Sequence, residues 1–149
     1  MTTLVVFDTN YGNTKTLAER IAHELGDAPV LSVTRIGPSD LDGVDLLVVG
    51  GPIIGWKPSE RMQAFLNTLH ETSLRGVRAA AFDTRVRLFI HGDAARKISR
   101  ALEKAGAEII TSPRGFIVAG TKGPLVDGEL ARAARWADTL LRNPAGSGT

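Results

Sequence analysis

Residues 4–14 read LVVFDTNYGNT, and this stretch decides the fold. An apolar run, Leu4 to Phe7, is followed by small polar residues and then by a segment with helical periodicity. This order predicts a buried strand, a tight loop and a helix. Backbone N–H groups converge where such a loop enters a helix, and the helix dipole adds partial positive charge. The stretch therefore predicts an anion site, most simply for a phosphate ester.

The composition of this loop restricts the kind of phosphate. Thr9, Asn10, Asn13 and Thr14 offer hydroxyl and amide groups, and Gly12 allows close approach to the backbone. The loop lacks the lysine of a Walker loop, which argues against a nucleoside triphosphate whose phosphoryl group is transferred. The alternative interpretation is a strand-to-helix turn that uses Thr and Asn only as caps.

The composition predicts one ordinary globular domain. The chain has 149 residues, of which 43% are hydrophobic and 23% charged. It has no cysteine, which excludes disulfides, thiolate metal sites and thiol catalysis. No apolar segment is as long as a membrane span and no signal-peptide pattern opens the chain, so we expect a cytoplasmic protein without a membrane partner. The net charge of +2 comes from scattered Lys and Arg residues, so we expect no nucleic-acid partner.

Apolar runs alternate with helical patterns along the chain, which is typical of an α/β fold with a parallel sheet covered on both faces. Five strands are predicted, the fifth of them in two pieces. The runs are Leu4–Phe7, Val30–Val33, Leu46–Val49, Val77–Phe82, and Ile109–Ile110 resuming at Phe116–Val118.

Four helices are predicted from apolar stripes at helical spacing. Ser59 and Asp93 are suited to cap the second and third helices, and the segment Gly37–Gly43 is long enough for only about one turn. The domain is predicted to span residues 1–142, followed by a disordered tail at 143–149 that is rich in Gly, Pro and Ser. The stripes are Leu17, Ala18, Ile21 and Leu25; Met62, Phe65, Leu66 and Leu69; Ile98, Ala101, Leu102 and Ala105; and Leu130, Ala134, Ala137 and Leu141, the last within a helix from Val126 to Leu141.

In an open parallel sheet, ligands bind at the carboxyl ends of the strands. The loop after the third predicted strand, residues 50–60, reads GGPIIGWKPSE and has the glycines, prolines and tryptophan of a shaped surface for a flat ligand. Taken with Thr9–Thr14, it resembles the loops of the flavodoxin family. The resemblance extends over nearly the whole chain and implies a three-layer sandwich with a five-stranded parallel sheet of order 2-1-3-4-5.

The resemblance implies a noncovalently bound FMN, with its phosphate on the first loop and its isoalloxazine ring between the second and third loops. The implied cofactor-binding residues are Thr9, Asn10, Tyr11, Gly12, Asn13 and Thr14 in the first loop; Pro52, Ile53, Ile54, Gly55 and Trp56 in the second; and Asp83, Thr84, Arg85, His91 and Gly92 in the third. No metal ligand and no catalytic side chain is implied.

Three features depart from the family pattern. Tyr11 stands where short-chain flavodoxins usually have Thr, as it does in flavodoxin-like quinone reductases. The loop after the fourth strand lacks the usual acidic residue and stacking Tyr, and Arg85 and Arg87 there predict a less reducing flavin. Gly55-Trp56 resembles the peptide that rotates to meet flavin N5, and either Ile54 or Trp56 is placed to cover the ring.

The predicted function is electron transfer between redox partner proteins, a reductase and an electron acceptor, by a monomer or weak dimer. Two alternatives stay open: an FMN-dependent NAD(P)H:quinone oxidoreductase, and a flavin-free interaction module that retains the fold. Trp136 is predicted to pack in the core, whereas Trp56 fits a core or an interface equally well. His91 is interpreted as a surface or capping residue rather than a proton donor, and residues 120–124 are interpreted as a connection into the final helix in preference to a flexible loop that borders the site.

Overall fold

A computed structural model describes residues 2–87 and 93–142. Strands and helices alternate, as predicted, except for one short hairpin arm and the divided last strand. The strands are β1 (Thr3–Phe7), β2 (Val30–Ser32), β3 (Leu46–Ile54), β4 (Lys57–Pro58), β5 (Arg78–Val86), β6 (Glu108–Ile109) and β7 (Arg114–Val118). The helices are α1 (Asn13–Glu24), α2 (Glu60–Asn67), α3 (Ala94–Lys104) and α4 (Glu129–Leu141), with a 3₁₀ turn at Pro38–Leu41.

The parallel sheet has the order β2-β1-β3-β5, followed by β6 and β7 at the fifth position. β6 pairs with the amino-terminal half of β5, and β7 pairs with its carboxyl-terminal half from Phe82 to Val86. This arrangement confirms the predicted order 2-1-3-4-5 and the predicted division of the last strand.

The two faces of the sheet carry separate cores. Helices α1 and α4 cover one face, where the rings of Phe82, Phe116 and Trp136 meet edge to face with centroids 6.0 Å apart. Helices α2 and α3 cover the other face. The tip of the Phe82 ring occupies the space beside Gly50 of the neighbouring strand, where a Cβ atom would come within 2.1 Å of the ring. The predicted packing role of Trp136 is confirmed.

Side-chain caps close two of the helices as predicted. Ser59 Oγ accepts from the Met62 N–H at the start of α2, and an Asp93 carboxylate oxygen accepts from the Arg96 N–H at the start of α3. The single turn expected within Gly37–Gly43 is the 3₁₀ turn.

The last helix differs from the prediction. It begins at Glu129 rather than Val126, because Val126 donates its N–H to the Ile117 carbonyl and Leu125 bridges to Val118. The buried apolar residues are Ala133, Ala134, Trp136, Ala137 and Leu140, so the inward positions predicted for Ala134 and Ala137 are confirmed and those predicted for Leu130 and Leu141 are wrong. The predicted tail at 143–149 lies outside the described residues.

Candidate functional site

A cleft of about 260 Å³ opens at the carboxyl ends of β1, β3 and β5. The loop after β1, the end of β3 with its hairpin turn, and the last residues of β5 contribute to it, as expected for an open parallel sheet. Its lining consists of Thr9, Asn10, Tyr11, Asn13, Thr14, Pro52, Ile53, Ile54, Gly55, Trp56, Thr84, Arg85, Val86, Val118 and Thr121.

The amino terminus of α1 faces this cleft without a side-chain cap. Gly12 precedes the helix in a left-handed conformation with φ of 90°, and its N–H donates to Thr9 Oγ1 over 2.9 Å. Elsewhere in the loop and first turn, six backbone N–H groups find no acceptor within the described part of the chain. They belong to Thr9, Asn10, Tyr11, Asn13, Thr14 and Lys15. Unsatisfied donors at a helix amino terminus make an anion site.

A buried hydroxyl pair connects this loop to the centre of the sheet. Thr14 Oγ1 lies 3.0 Å from Thr84 Oγ1, and both residues are buried. Either hydroxyl can donate, so when Thr84 donates, the Thr14 proton is available to a ligand.

Arg61 braces the loop from the side of α2, which the sequence did not lead us to expect. Its Nε donates to Asp8 Oδ1 over 2.8 Å, and its Nη2 donates to the Thr9 carbonyl over 3.3 Å and to Asn10 Oδ1. Asp8 also accepts from the Ser59 hydroxyl. The hydrogen bond to Asp8 raises the pKa of Arg61 despite partial desolvation. The sequence did contain one signal for this contact. Asp8 follows a buried strand, and a buried carboxylate requires a hydrogen-bond donor from elsewhere in the chain.

The second loop is a β-hairpin rather than an irregular loop. Strand β3 continues to Ile54 and pairs antiparallel with β4 through Ile54 to Lys57. The two residues of the turn, Gly55 and Trp56, have φ of 56° and 73°. Positive φ at both positions is what a type I′ turn requires, and for a residue other than glycine it costs about 1–2 kcal/mol.

This turn fixes two apolar side chains at the mouth of the cleft. Trp56 is 55% exposed and Ile54 is 41% exposed. The interpretation of Trp56 as a core residue is therefore wrong. Both side chains line the cleft, so the structure keeps both as candidates to cover a flat ligand.

Arg85 is held by carboxylates under the third wall of the cleft. Its Nε and Nη2 donate to Asp83 at 2.8 and 2.7 Å, and Asp93 lies 3.7 Å away. Asp83 is completely buried and also accepts from the Ala95 N–H. The guanidinium lies against Gly115, where a Cβ atom would come within 2.3 Å of it.

These hydrogen bonds and ion pairs shift the pKa values of Arg85 and Asp93. The hydrogen bonds to Asp83 raise the pKa of Arg85. Desolvation opposes ionisation of Asp93, but hydrogen bonds from Arg96 and the charge of Arg85 lower its pKa overall. Residues 83–86, expected in a loop, belong to β5 because β7 supplies their pairing partners.

A fourth segment, residues 120–124, packs on the first loop. Asn13 Nδ2 donates to the Lys122 carbonyl over 3.2 Å, and the Asn13 amide covers Gly123. The Lys122 ammonium stands 6.0 Å from the centre of the Tyr11 ring. Since Thr121 lines the cleft, the interpretation of this segment as a mere connection is wrong.

A family model, described as Flavodoxin domain, matches residues 4–112. The chain belongs to the flavodoxin domain family. Comparison with curated protein sequences gives no match.

Solved structures show the same fold at low sequence identity. Oxidised flavodoxin 2 from Bacillus cereus superimposes with a TM-score of 0.81 at 17% identity, covering 95% of this chain and 99% of that one. A flavodoxin, WrbA-like protein from Agrobacterium tumefaciens gives 0.71 at 18% identity, covering 95% of each chain. The flavodiiron protein from Giardia intestinalis gives 0.73 at 19% identity over 95% of this chain and 36% of that chain.

Most residues predicted for the flavodoxin-like site come together in the cleft. Gly12 forms the turn behind the lining, Asp83 lies beneath Arg85 rather than at the surface, and His91 and Gly92 lie outside the described residues. Sequence reasoning missed two lining residues, Val86 and Val118, and preferred a connecting role for Thr121, which also lines the cleft. The available signal for the two valines was their position, because they are the last residues of β5 and β7.

Neither a metal-binding cluster nor a membrane-spanning helix is found in the described residues of this flavodoxin domain. No group of three or more His, Cys, Asp or Glu side chains could hold a metal ion there. None of the helices described is long and apolar enough to cross a membrane.

Proposed function

We propose that this protein binds FMN noncovalently in the cleft and transfers electrons between redox partner proteins. One observation carries the proposal. The uncapped amino terminus of α1, with its unsatisfied N–H groups, opens into the same cleft as the exposed side chains of the β3–β4 hairpin. Family membership supports the choice of cofactor, since flavodoxin family proteins typically bind FMN.

The first loop suits the phosphate of FMN. A phosphate dianion accepts several hydrogen bonds at once, and charge-assisted bonds of this kind are about twice as strong as neutral ones. The backbone donors at Asn13 and Thr14 also lie at the positive end of the helix dipole. Arg61, already bonded to Thr9 and Asn10, keeps the loop in the conformation that presents these donors.

The opposite end of the cleft suits a flat, largely apolar ring. Pro52, Ile54, Trp56, Val86 and Val118 supply apolar surface around it. When bound, FMN supplies the reversible electron chemistry, while the protein binds the cofactor, orients it and limits its contact with water. The Gly55-Trp56 peptide stands at the edge of this space, where the family resemblance implies contact with flavin N5.

Binding of FMN to the purified protein tests the proposal. Titration should quench flavin fluorescence and saturate at one FMN per chain. Asn13→Asp places a carboxylate where the phosphate is expected and should weaken binding by more than about tenfold, because like charges repel at short range. Asn67→Asp, the same change at the exposed end of α2, should leave binding unaltered. Protein that stays colourless with excess FMN would support the flavin-free interaction module instead.

Enzyme assays separate the electron carrier from the oxidoreductase. We expect the FMN-loaded protein to exchange electrons with reduced or oxidised redox proteins but to show no steady oxidation of NADPH by quinone. Sustained turnover of quinone with NADPH as the sole reductant would assign the protein as an NAD(P)H:quinone oxidoreductase.

A further inference from the structure

The mouth of the cleft combines exposed apolar side chains with positive charge. Tyr11 is 53% exposed, and it stands with Ile54 and Trp56 around the same opening. The other large apolar side chains found exposed in the described residues, Leu130 and Leu141, lie on α4. Large exposed apolar surface concentrated at one opening marks an interaction site.

Two lysines flank these apolar side chains. Lys57 follows Trp56 in the hairpin, and Lys122 stands over the Tyr11 ring from the other loop. Both are exposed, and within residues 2–87 and 93–142 neither forms an ion pair.

Three carboxylates near the mouth are bonded to other side chains or to backbone N–H groups. Asp8 is bonded to Ser59 and Arg61, and Asp83 is buried against Arg85. Asp93 caps α3 and pairs with Arg96. Glu60 is exposed in the first turn of α2, where the helix dipole stabilises it. The sequence of residues 88–92, LFIHG, adds no carboxylate. The mouth therefore carries a lysine without an ion pair among the described residues on each side of an apolar patch.

We infer that the partner which docks over this cleft is a protein with an acidic face, whose carboxylates meet Lys57 and Lys122 around an apolar centre. Charge complementarity of this kind steers association and fixes orientation more than it adds affinity. The identification of this partner as a redox protein rests on the proposed function, whereas the sign of its charge rests on the lysines alone.

Docking can be measured on the flavin-free chain with two probes of opposite charge. Rubredoxin, a small acidic iron–sulfur protein, should shift the backbone NMR signals of Tyr11, Ile54, Trp56, Lys57 and Lys122 at low salt. Cytochrome c, which is basic, should leave them unchanged. Rubredoxin binding should weaken as salt is raised, since exposed charges are screened beyond about 10 Å at 0.1 M.

Charge reversal supplies the decisive variants. Lys57→Glu combined with Lys122→Glu should weaken rubredoxin binding by roughly tenfold and allow cytochrome c to bind. Arg75→Glu combined with Lys104→Glu makes the same net charge change at the opposite edge of the sheet, just before β5 and at the end of α3, and should have no effect. Equal effects of the two sets of variants, preference for cytochrome c, or failure of rubredoxin to shift these signals would overturn the inference.

The FMN-loaded protein gives the second arm. Electron transfer to rubredoxin should slow by a similar factor in the double variant while FMN affinity changes little. If FMN fails to bind at all, the proposed function falls, but the docking measurement on the flavin-free chain still decides the charge of the partner.

Discussion

The two ends of the cleft are built in different ways. At the phosphate end, where we propose that the FMN phosphate binds, backbone N–H groups of a short loop and the first turn of α1 face the cleft, and Arg61 with Asp8 holds that loop. At the ring end, the surface consists of side chains on a strained hairpin and on the last residues of β5, above a buried ion pair. A backbone site is defined by a local segment, whereas a side-chain site depends on several distant ones.

The two arginines at the ring end carry less unbalanced charge than the sequence led us to expect. Arg85 was predicted to raise the potential of the flavin, but its charge is balanced by Asp83 and, at a greater distance, by Asp93. Arg87 faces Glu129, whose pKa it helps to lower. The less reducing flavin stays a prediction, and a redox titration of the FMN-loaded protein tests it.

The largest expected effect tests whether the phosphate end dominates affinity. Riboflavin, which lacks the phosphate, should bind on the order of 10³-fold more weakly than FMN, because it loses several charge-assisted hydrogen bonds. Fluorescence titration with both ligands measures the ratio. Affinities within about threefold of each other would assign most of the binding to the ring end.

The buried ion pair under the ring end should control stability. Asp83→Asn leaves the Arg85 guanidinium without its buried carboxylate and should lower the free energy of unfolding by about 3 kcal/mol. Urea denaturation measures the change. Asp138→Asn breaks an exposed pair with Arg142 and should cost less than about 0.5 kcal/mol, so similar losses in the two variants would contradict the difference in burial.

Removal of the Arg61 side chain, which holds the first loop, should weaken binding only at the phosphate end. Arg61→Gln should weaken FMN binding by roughly tenfold, the worth of about one hydrogen bond to a charged group, and leave riboflavin binding nearly unchanged. Arg20→Gln, at an exposed pair on α1, is the control. A loss of the same size for both flavins would show that Arg61 supports the whole cleft rather than the loop.

The strained turn at the ring end should lower the stability of the flavin-free protein while it strengthens the binding of FMN. Trp56→Gly relieves the positive φ and should stabilise the flavin-free protein by about 0.5–1 kcal/mol, while FMN binding weakens through loss of the indole. Urea denaturation without flavin and titration with FMN measure the two changes. A less stable variant would mean that the indole contributes more through packing than its conformation costs.

The smallest effect concerns acid. The hydrogen bonds from Arg132, partly opposed by desolvation, lower the pKa of Glu129, which also accepts from the Ile117 N–H of β7 over 2.6 Å. A lowered pKa means that the unfolded chain binds the proton first as the pH falls. This stabilisation is therefore complete above the ordinary pKa of a glutamate and is lost as the pH falls through the lowered one. Glu129→Gln should flatten the acid side of a stability–pH curve, and an unchanged slope would contradict this role.

The sequence by itself determined the parallel sheet, the strand order through resemblance to a family, and the loop at the start of α1 for which we propose phosphate binding. These features are encoded by neighbouring residues: a buried run such as Leu4–Phe7, a turn at Gly12, and caps such as Ser59. Hydrophobic periodicity and turn chemistry act over a few residues and can be interpreted directly.

Only the tertiary structure decided how the ring end is built and that Arg61 holds the first loop. Arg61 lies 53 residues from Asp8, and Thr84 lies 70 residues from Thr14, so no local pattern announces either contact. The extension of β5 to Val86 depends on β7, and the exposure of Trp56 depends on the pairing of β3 with β4. The physical reason is that strand pairing, burial of charge and ion-pair geometry are fixed by which segments the fold brings together, not by the residues beside them.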